Sequence, residues 1–161
     1  MKGTEAEVII QVERPGWRTR WARHPSQIRH LIAVAAPLVR VPRQLGRGSM
    51  VVVLSDDRHL RALNGQFRGK DKPTNVLSFP DADEPFGGIA LALETIEREA
   101  REQGKPFVNH AKHMILHGFL HLLGYDHQTE REARLMERLE TAILAELSIP
   151  NPYEFEDKTR A

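Results

Sequence analysis

A chain of 161 residues, 40% apolar and 28% charged, has the balance of one soluble globular domain with a real core, and a second domain is not expected at this length. It contains no cysteine, which excludes disulfides and leaves imidazole and carboxylate as ligands for any transition metal. The net charge of +1 hides an asymmetry, because Arg14 to Gly48 holds eight arginines and no acid while Asp126 to Asp157 holds nine acids and three arginines.

The first residues, Met-Lys-Gly-Thr-Glu-Ala-Glu, have no long apolar stretch behind the lysine, so no signal peptide is expected, and with no cysteine a cytoplasmic setting is the expectation. Glu7 to Val12 is short, β-branched and half alternating, hence a strand. The basic stretch that follows is either a solvated face pairing with the acidic C-terminal helix or an electrostatic footprint for phosphate. Within it Pro25 opens a helix with Ile28, Leu31, Ile32 and Ala35 on one face, ended or kinked by Pro37. The longest apolar run, Leu31 to Val39, falls far short of the roughly 20 residues of a membrane span. Gly46-Arg47-Gly48 is a turn.

Met50 to Leu54 is continuously apolar and reads as a buried strand. Ser55 or Asp56 caps a helix with Leu60, Leu63 and Phe67 on its apolar face. Gly69 to Thr74 is a polar loop. Val76 to Phe79 is a third strand, stopped by Pro80, and Asp81 to Pro85 is a further loop. Gly88 to Leu93 is the fourth strand. Glu94 to Glu102 is a charged helix stopped by Gly104 and Pro106. Phe107 to Leu123 is a helix closed by Gly124 at the position after its end. Thr129 and Glu132 stand in capping-box spacing at the head of a helix to Leu147, with Leu135, Leu139, Ile143 and Leu147 on its apolar face. Interleaved strands and helices give an α+β (α/β-like) class with one small sheet.

Five of eight histidines fall between His110 and His127. His117 and His121, four apart on a helix, share one face with an axial rise of about 6 Å, so two imidazoles converge on one ion at about 2.0–2.1 Å. Gly124 permits the chain reversal that returns His127 to them. Three nitrogens leave a fourth coordination position open, as a catalytic zinc requires; nickel, copper or iron suit the same donors. His110 and His113 share roughly that face, either supporting the site or serving as surface or core histidines. Asp126 either orients a ligand imidazole or only shapes the turn.

The spacing matches the metzincin pattern in its three histidines and its glycine, but Gly118 stands where those peptidases carry the glutamate that acts as general base. Without a carboxylate to take the proton, a peptidase of that mechanism cannot work. Any site with these ligands must run different chemistry.

The run from His117 to His127, His-Gly-Phe-Leu-His-Leu-Leu-Gly-Tyr-Asp-His, resembles the signature of the YbeY family of bacterial endoribonucleases, also called rRNA maturation factors. A second block, Leu63 to Pro80, is similar to that family's Asn-x-x-(Tyr/Phe)-Arg-x-Lys-Asp-x-Pro-Thr-(Asp/Asn)-Val-Leu-Ser-Phe-Pro motif. Met136, Glu137 and Glu140 on the last helix and Asn151-Pro152-Tyr153 look like the family too. The likeness is strong from Met50 to Tyr153 and weak before that. One departure is visible: the family usually reads Gly-Asp-Ile where this chain has Gly87-Gly88-Ile89.

The resemblance implies a single domain over 1–161 with a four-stranded mixed sheet, packed helices and a metal at the end of a cleft. It implies a metal-dependent endoribonuclease, here read with zinc on the histidine trio, that prefers single strands and acts in 16S rRNA 3′-end maturation and ribosome quality control. The implied partners are the rRNA precursor, the small ribosomal subunit, ribosomal protein S11 and the GTPase Era, with no membrane. It singles out Arg68 as a functional residue. Independently, a guanidinium there holds a phosphate bidentately or else favours a helix C-terminus as a surface residue. Lys70 and Lys72 in the same loop are further candidate RNA contacts. The alternatives are another metallohydrolase with a base from elsewhere in the chain, or a ribosome-assembly binding factor with a structural zinc.

Overall fold

The structure, a computed structural model, describes residues 7–39, 49–68, 74–81 and 84–154. Four strands, β1 (Glu7–Val12), β2 (Ser49–Ser55), β3 (Val76–Asp81) and β4 (Glu84–Ala92), form one mixed sheet in the order β1-β2-β4-β3. β1 and β4 both run parallel to β2, and β3 returns antiparallel along the outer side of β4. Among the described residues six α-helices pack around it: α1 (Gly16–Arg20), α2 (His24–Ala35), α3 (Asp57–Arg68), α4 (Leu93–Gln103), α5 (Phe107–Leu122) and α6 (Glu130–Glu146). The α+β expectation and the four strands hold.

The two faces of the sheet follow from side-chain alternation along its central strands. Met50, Val52 and Leu54 of β2 join Ile89 and Leu91 of β4 in a large core with Trp17, Ile28, Leu31, Ile115 and Phe119. Val53, Ala90 and Ala92 point the other way, into a smaller core with Leu60 and Leu77 beneath α3. Both faces are covered, which is why β2 reads as an unbroken apolar run. α5 packs on β3 and β4 from the large-core side, and α3 packs on the same two strands from the opposite side.

Several local expectations need correction. α1 was not foreseen: five residues after a Pro-Gly step are too few to show periodicity. Yet its Trp17 is fully buried, with Nε1 donating to the Ser55 carbonyl at 2.8 Å. Pro80 does not stop β3, which runs on to Asp81. An outermost strand offers one side without a ladder to lose, and the register shifts between Phe79 and Asp81. β4 begins at Glu84, so the expected loop from Asp81 to Pro85 is largely strand. On α6 the buried stripe is Met136, Glu140, Ile143 and Leu144, whereas Leu135 is 44% exposed. Of the expected face, Ile143 belongs to this stripe and Leu139 and Leu147 pack half-buried against the large core; the inward carboxylate is the part that an apolar pattern does not show. Arg14 pairs with Asp56 and Glu94, at 3.6 and 3.9 Å, and Arg20 pairs with Glu97. These arginines turn towards α3 and α4, not towards the acidic α6. The expected Gly46–Gly48 turn lies outside the described residues.

The punctuation holds. Gly104 closes α4 at φ 67°, Gly124 follows α5 at φ 102°, and Thr129 and Glu132 form a reciprocal capping box at the start of α6.

Candidate metal centre

α5 carries His117 and His121 one turn apart near its C-terminal end. The helix then unwinds in a defined way. The Tyr125 N–H returns to the Leu120 carbonyl at 3.0 Å, Gly124 takes positive φ, and Asp126 Oδ1 accepts the His127 backbone N–H at 2.7 Å. The reversal delivers His127 beside the helix. Among the described residues, His117, His121 and His127 form the group that could hold a metal ion, their nitrogens all within 4.8 Å of one another. Ring centroids are 4.7, 5.5 and 4.9 Å apart for the 117–121, 117–127 and 121–127 pairs. The turn-shaping alternative for Asp126 is the one its hydrogen bond supports.

A carboxylate orients the first imidazole, and it is Glu140. Its Oε2 accepts from His117 Nδ1 at 2.6 Å and its Oε1 from His113 Nε2 at 2.8 Å. Glu140 has no exposed surface. Burial pushes its carboxyl up, but the hydrogen bonds from the two histidines outweigh that and hold it at about 2. Burial lowers His113 below its ordinary value in spite of Glu140, and burial followed by the neighbouring His117 and His127 lowers His121. Glu140 is therefore ionised, and burial favours the neutral forms of His113 and His121, the form that a ligating imidazole needs.

These contacts fix tautomers. An ionised carboxylate only accepts, so His117 carries its proton on Nδ1 and presents the lone pair of Nε2. That atom lies 3.2 Å from His121 Nε2. The edge of a tetrahedron with metal–nitrogen bonds of about 2.0–2.1 Å is about 3.3–3.4 Å. The donor set suits a transition-metal ion and the His117–His121 spacing suits a tetrahedral edge; among the described residues no fourth ligand joins the trio.

His110 and His113 lie two turns and one turn before the trio, respectively, and are both buried. His113 supports the site through Glu140. His110 instead donates to Glu99 Oε1 at 2.8 Å, where the Asn75 amide also donates at 3.0 Å. Burial pushes Glu99 up, but those bonds prevail and its carboxyl sits below the ordinary range. Asn75 stands just before β3, so this second Glu–His pair ties the end of the segment after Arg68 to α4 and α5.

Gly118 has a steric explanation. A Cβ at this position would lie 2.9 Å from Ile89 Cγ2, 3.1 Å from Ser78 Oγ and 3.3 Å from Val76 Cγ2. Ser78 Oγ also donates to the Gly118 carbonyl at 3.0 Å. The helix touches the sheet here, so the position occupied by glutamate in the peptidase motif points into packed strand rather than at the ligands. Gly88 is likewise closed: its Cβ would meet the Phe79 ring at 2.7 Å. A carboxylate there would project to the α3 side of the sheet, where the ring sits.

Arg68 ends α3, on the face opposite α5, with the outer strand β3 between the two helices. Its side chain, and Lys70 and Lys72 altogether, lie outside the described residues. The sequence offered His113 as support for the site but not Glu140 as the carboxylate through which it acts. The available signal was a Glu at the same helical spacing as Met136, Ile143 and Leu144.

The chain matches the model of the family described as Endoribonuclease YbeY over residues 16–148. It is 45% identical over 161 residues to the endoribonuclease YbeY of Rhodopseudomonas palustris, an alignment covering 94% of this chain and 82% of that protein. It is 52% identical over 129 residues to the endoribonuclease YbeY of a Chelativorans strain, covering 75% and 78%. A Thermotoga maritima protein solved in solution superposes with a TM-score of 0.56 at 24% identity, covering 88% of this chain and 91% of that one. At that identity the likeness bears on the fold alone.

Proposed function

The chain belongs to the YbeY endoribonuclease family, and from that membership we propose that it is a zinc-dependent endoribonuclease preferring single-stranded RNA. We assign the activity to one domain spanning 1–161. Its place is in the cytoplasm, in 16S rRNA 3′-end maturation and ribosome quality control. Its substrate is the rRNA precursor, and its partners are the small ribosomal subunit, ribosomal protein S11 and the GTPase Era. These particulars are carried from the family resemblance.

The observation that carries the metal reading is the histidine trio, with nitrogens within 4.8 Å and His117 held by Glu140 at 2.6 Å. His117, His121 and His127 would hold the zinc, which when bound supplies Lewis acidity towards a phosphate oxygen or a water. Glu140 fixes the proton of His117 on Nδ1, and His113 braces Glu140 from the other oxygen. Gly118 lets the helix sit on the sheet while leaving no room for a peptidase base. Arg68 would take the scissile phosphate in its planar fork. Lys70 and Lys72 would add backbone contacts dependent on salt. A structural zinc usually closes with a fourth side chain, and among the described residues the trio has none.

The test is zinc analysis together with cleavage of a single-stranded RNA, on the wild type and His117→Ala. The expected result is close to one zinc per chain and chelator-sensitive cleavage, both lost in the variant. Cleavage that survives both chelation and His117→Ala would refute the reading.

A further inference from the structure

Glu140 is fully buried, and His113 and His117 supply one hydrogen bond to each of its oxygens. A buried carboxylate needs more donors than two, because each lone pair left without water or partner costs desolvation energy. The third donor comes from beyond α6. Tyr153 donates its hydroxyl to Glu140 Oε1, and its ring stands edge-on to His113, centroids 5.6 Å apart at 87°.

The turn presenting Tyr153 is fastened on two sides. Asn151 Oδ1 accepts the Tyr153 backbone N–H at 2.8 Å and lies 3.5 Å from the hydroxyl of Thr141, the residue after Glu140. Lys105 Nζ, from the connection between α4 and α5, donates to the Pro152 carbonyl at 2.7 Å. With Oε1 engaged by both Tyr153 and His113, the carboxylate has little freedom to rotate, and Oε2 stays directed at His117 Nδ1.

We propose that Tyr153 is a positioning residue of the metal centre, holding His117 in its ligating orientation through Glu140. The proposal rests on the reading of the histidine trio as a metal site. A hydroxyl from a segment 26 positions beyond His127 thus sets how firmly the first ligand is aimed.

Two readouts test it on full-length wild type and Tyr153→Phe: zinc affinity by competition with a chromophoric chelator, and the proton resonance of His117 Nδ1 in metal-free protein. Tyr153→Phe keeps the ring against His113 and removes only the hydroxyl. It should bind zinc about tenfold more weakly, the lower end of the roughly 10–100-fold range for groups that orient a ligand. Its His117 proton should shift and exchange faster with water, and the metal-free protein should stay folded but melt about 2–4 °C lower, since a buried lone pair loses its donor. Asn151→Ala loosens the same turn from an exposed position and should move both readouts in the same direction, which keeps the test decisive if Tyr153→Phe folds poorly. Where the wild type binds zinc, unchanged affinity or an unmoved resonance would overturn the proposal. A wild type that takes up no zinc would overturn the metal reading instead, and the His117 proton would still decide on Tyr153.

Discussion

Asp57 and Glu94 cap each other's helices. Glu94 Oε1 accepts the Asp57 backbone N–H at 2.9 Å, and Asp57 Oδ1 accepts the Thr95 N–H and hydroxyl at 3.0 and 2.8 Å. Each carboxylate lies near the positive end of the other's helix, where it satisfies donors the helix cannot. The pair fixes the start of α3, the helix that ends in Arg68. Asp57→Ala should cost about 1–2 kcal/mol, the loss of a cap. Urea unfolding measures this, and zinc content should not change. A variant as stable as the wild type would mean that solvent replaces the bonds.

Position 118 sets two effects against each other. Gly→Ala in a helix gains up to about 1 kcal/mol in propensity, whereas overpacking a closed core costs about 1–3 kcal/mol. With Ile89 Cγ2 at 2.9 Å from the added carbon, overpacking wins, so Gly118→Ala should lower the melting temperature and Gly118→Glu should lower it further. Neither variant, nor the wild type, should cut casein. A stable Gly118→Glu protein with chelator-sensitive peptidase activity would contradict this steric account.

Arg68 separates a nuclease from a protein whose zinc is structural. Arg68→Ala should keep its zinc and its fold while losing about 10²–10³ in cleavage rate, the usual cost of removing one donor to developing charge. Arg68→Lys should recover only part of the loss, since an ammonium lacks the planar fork. RNA affinity should fall less than rate, because other cationic contacts supply most of it. Zinc content, melting temperature, affinity and rate on the three proteins decide the matter, and wild-type cleavage by Arg68→Ala would remove Arg68 from the mechanism.

Acid should expose the Glu140 network. Its carboxyl titrates at about 2 in the folded chain against an ordinary 4.5, and Glu99 is shifted the same way. A depressed folded value means stability that is present above 4.5 and lost as pH falls towards 2. Glu140→Gln should melt lower than the wild type at neutral pH, having lost its charged acceptor. It should also show a shallower fall between about pH 5 and pH 3. Melting curves in chelator across that range test this, and parallel slopes would mean that Glu140 is not the group responsible.

The ligand trio was legible because helical geometry turns the spacing of His117 and His121 directly into proximity, and Gly124 marks the reversal that returns His127. The strands β2 and β4 were legible as apolar runs. Glu140 was not, because a glutamate on an amphipathic helix is ordinarily solvated. Its inward position depends on two histidines 23 and 27 residues earlier, a pairing that periodicity does not encode. Asp126 drew attention by adjacency in sequence, yet its carboxylate serves the backbone of His127. The strand through Pro80 was hidden for a related reason: a proline is tolerated when the ladder it would break lies on the outer side, and that depends on sheet order.

The contact at Gly118 makes the sheet a datum for the metal centre. His117 is one residue away, so the depth at which α5 rests on Ile89, Ser78 and Val76 sets the height of the imidazole relative to Glu140 on α6. A bulkier side chain on β3 or β4 would lift the helix as a shim lifts a beam, and the displacement would register at His117 Nδ1. Residues of the sheet that never approach substrate thereby act as the gauge of the site.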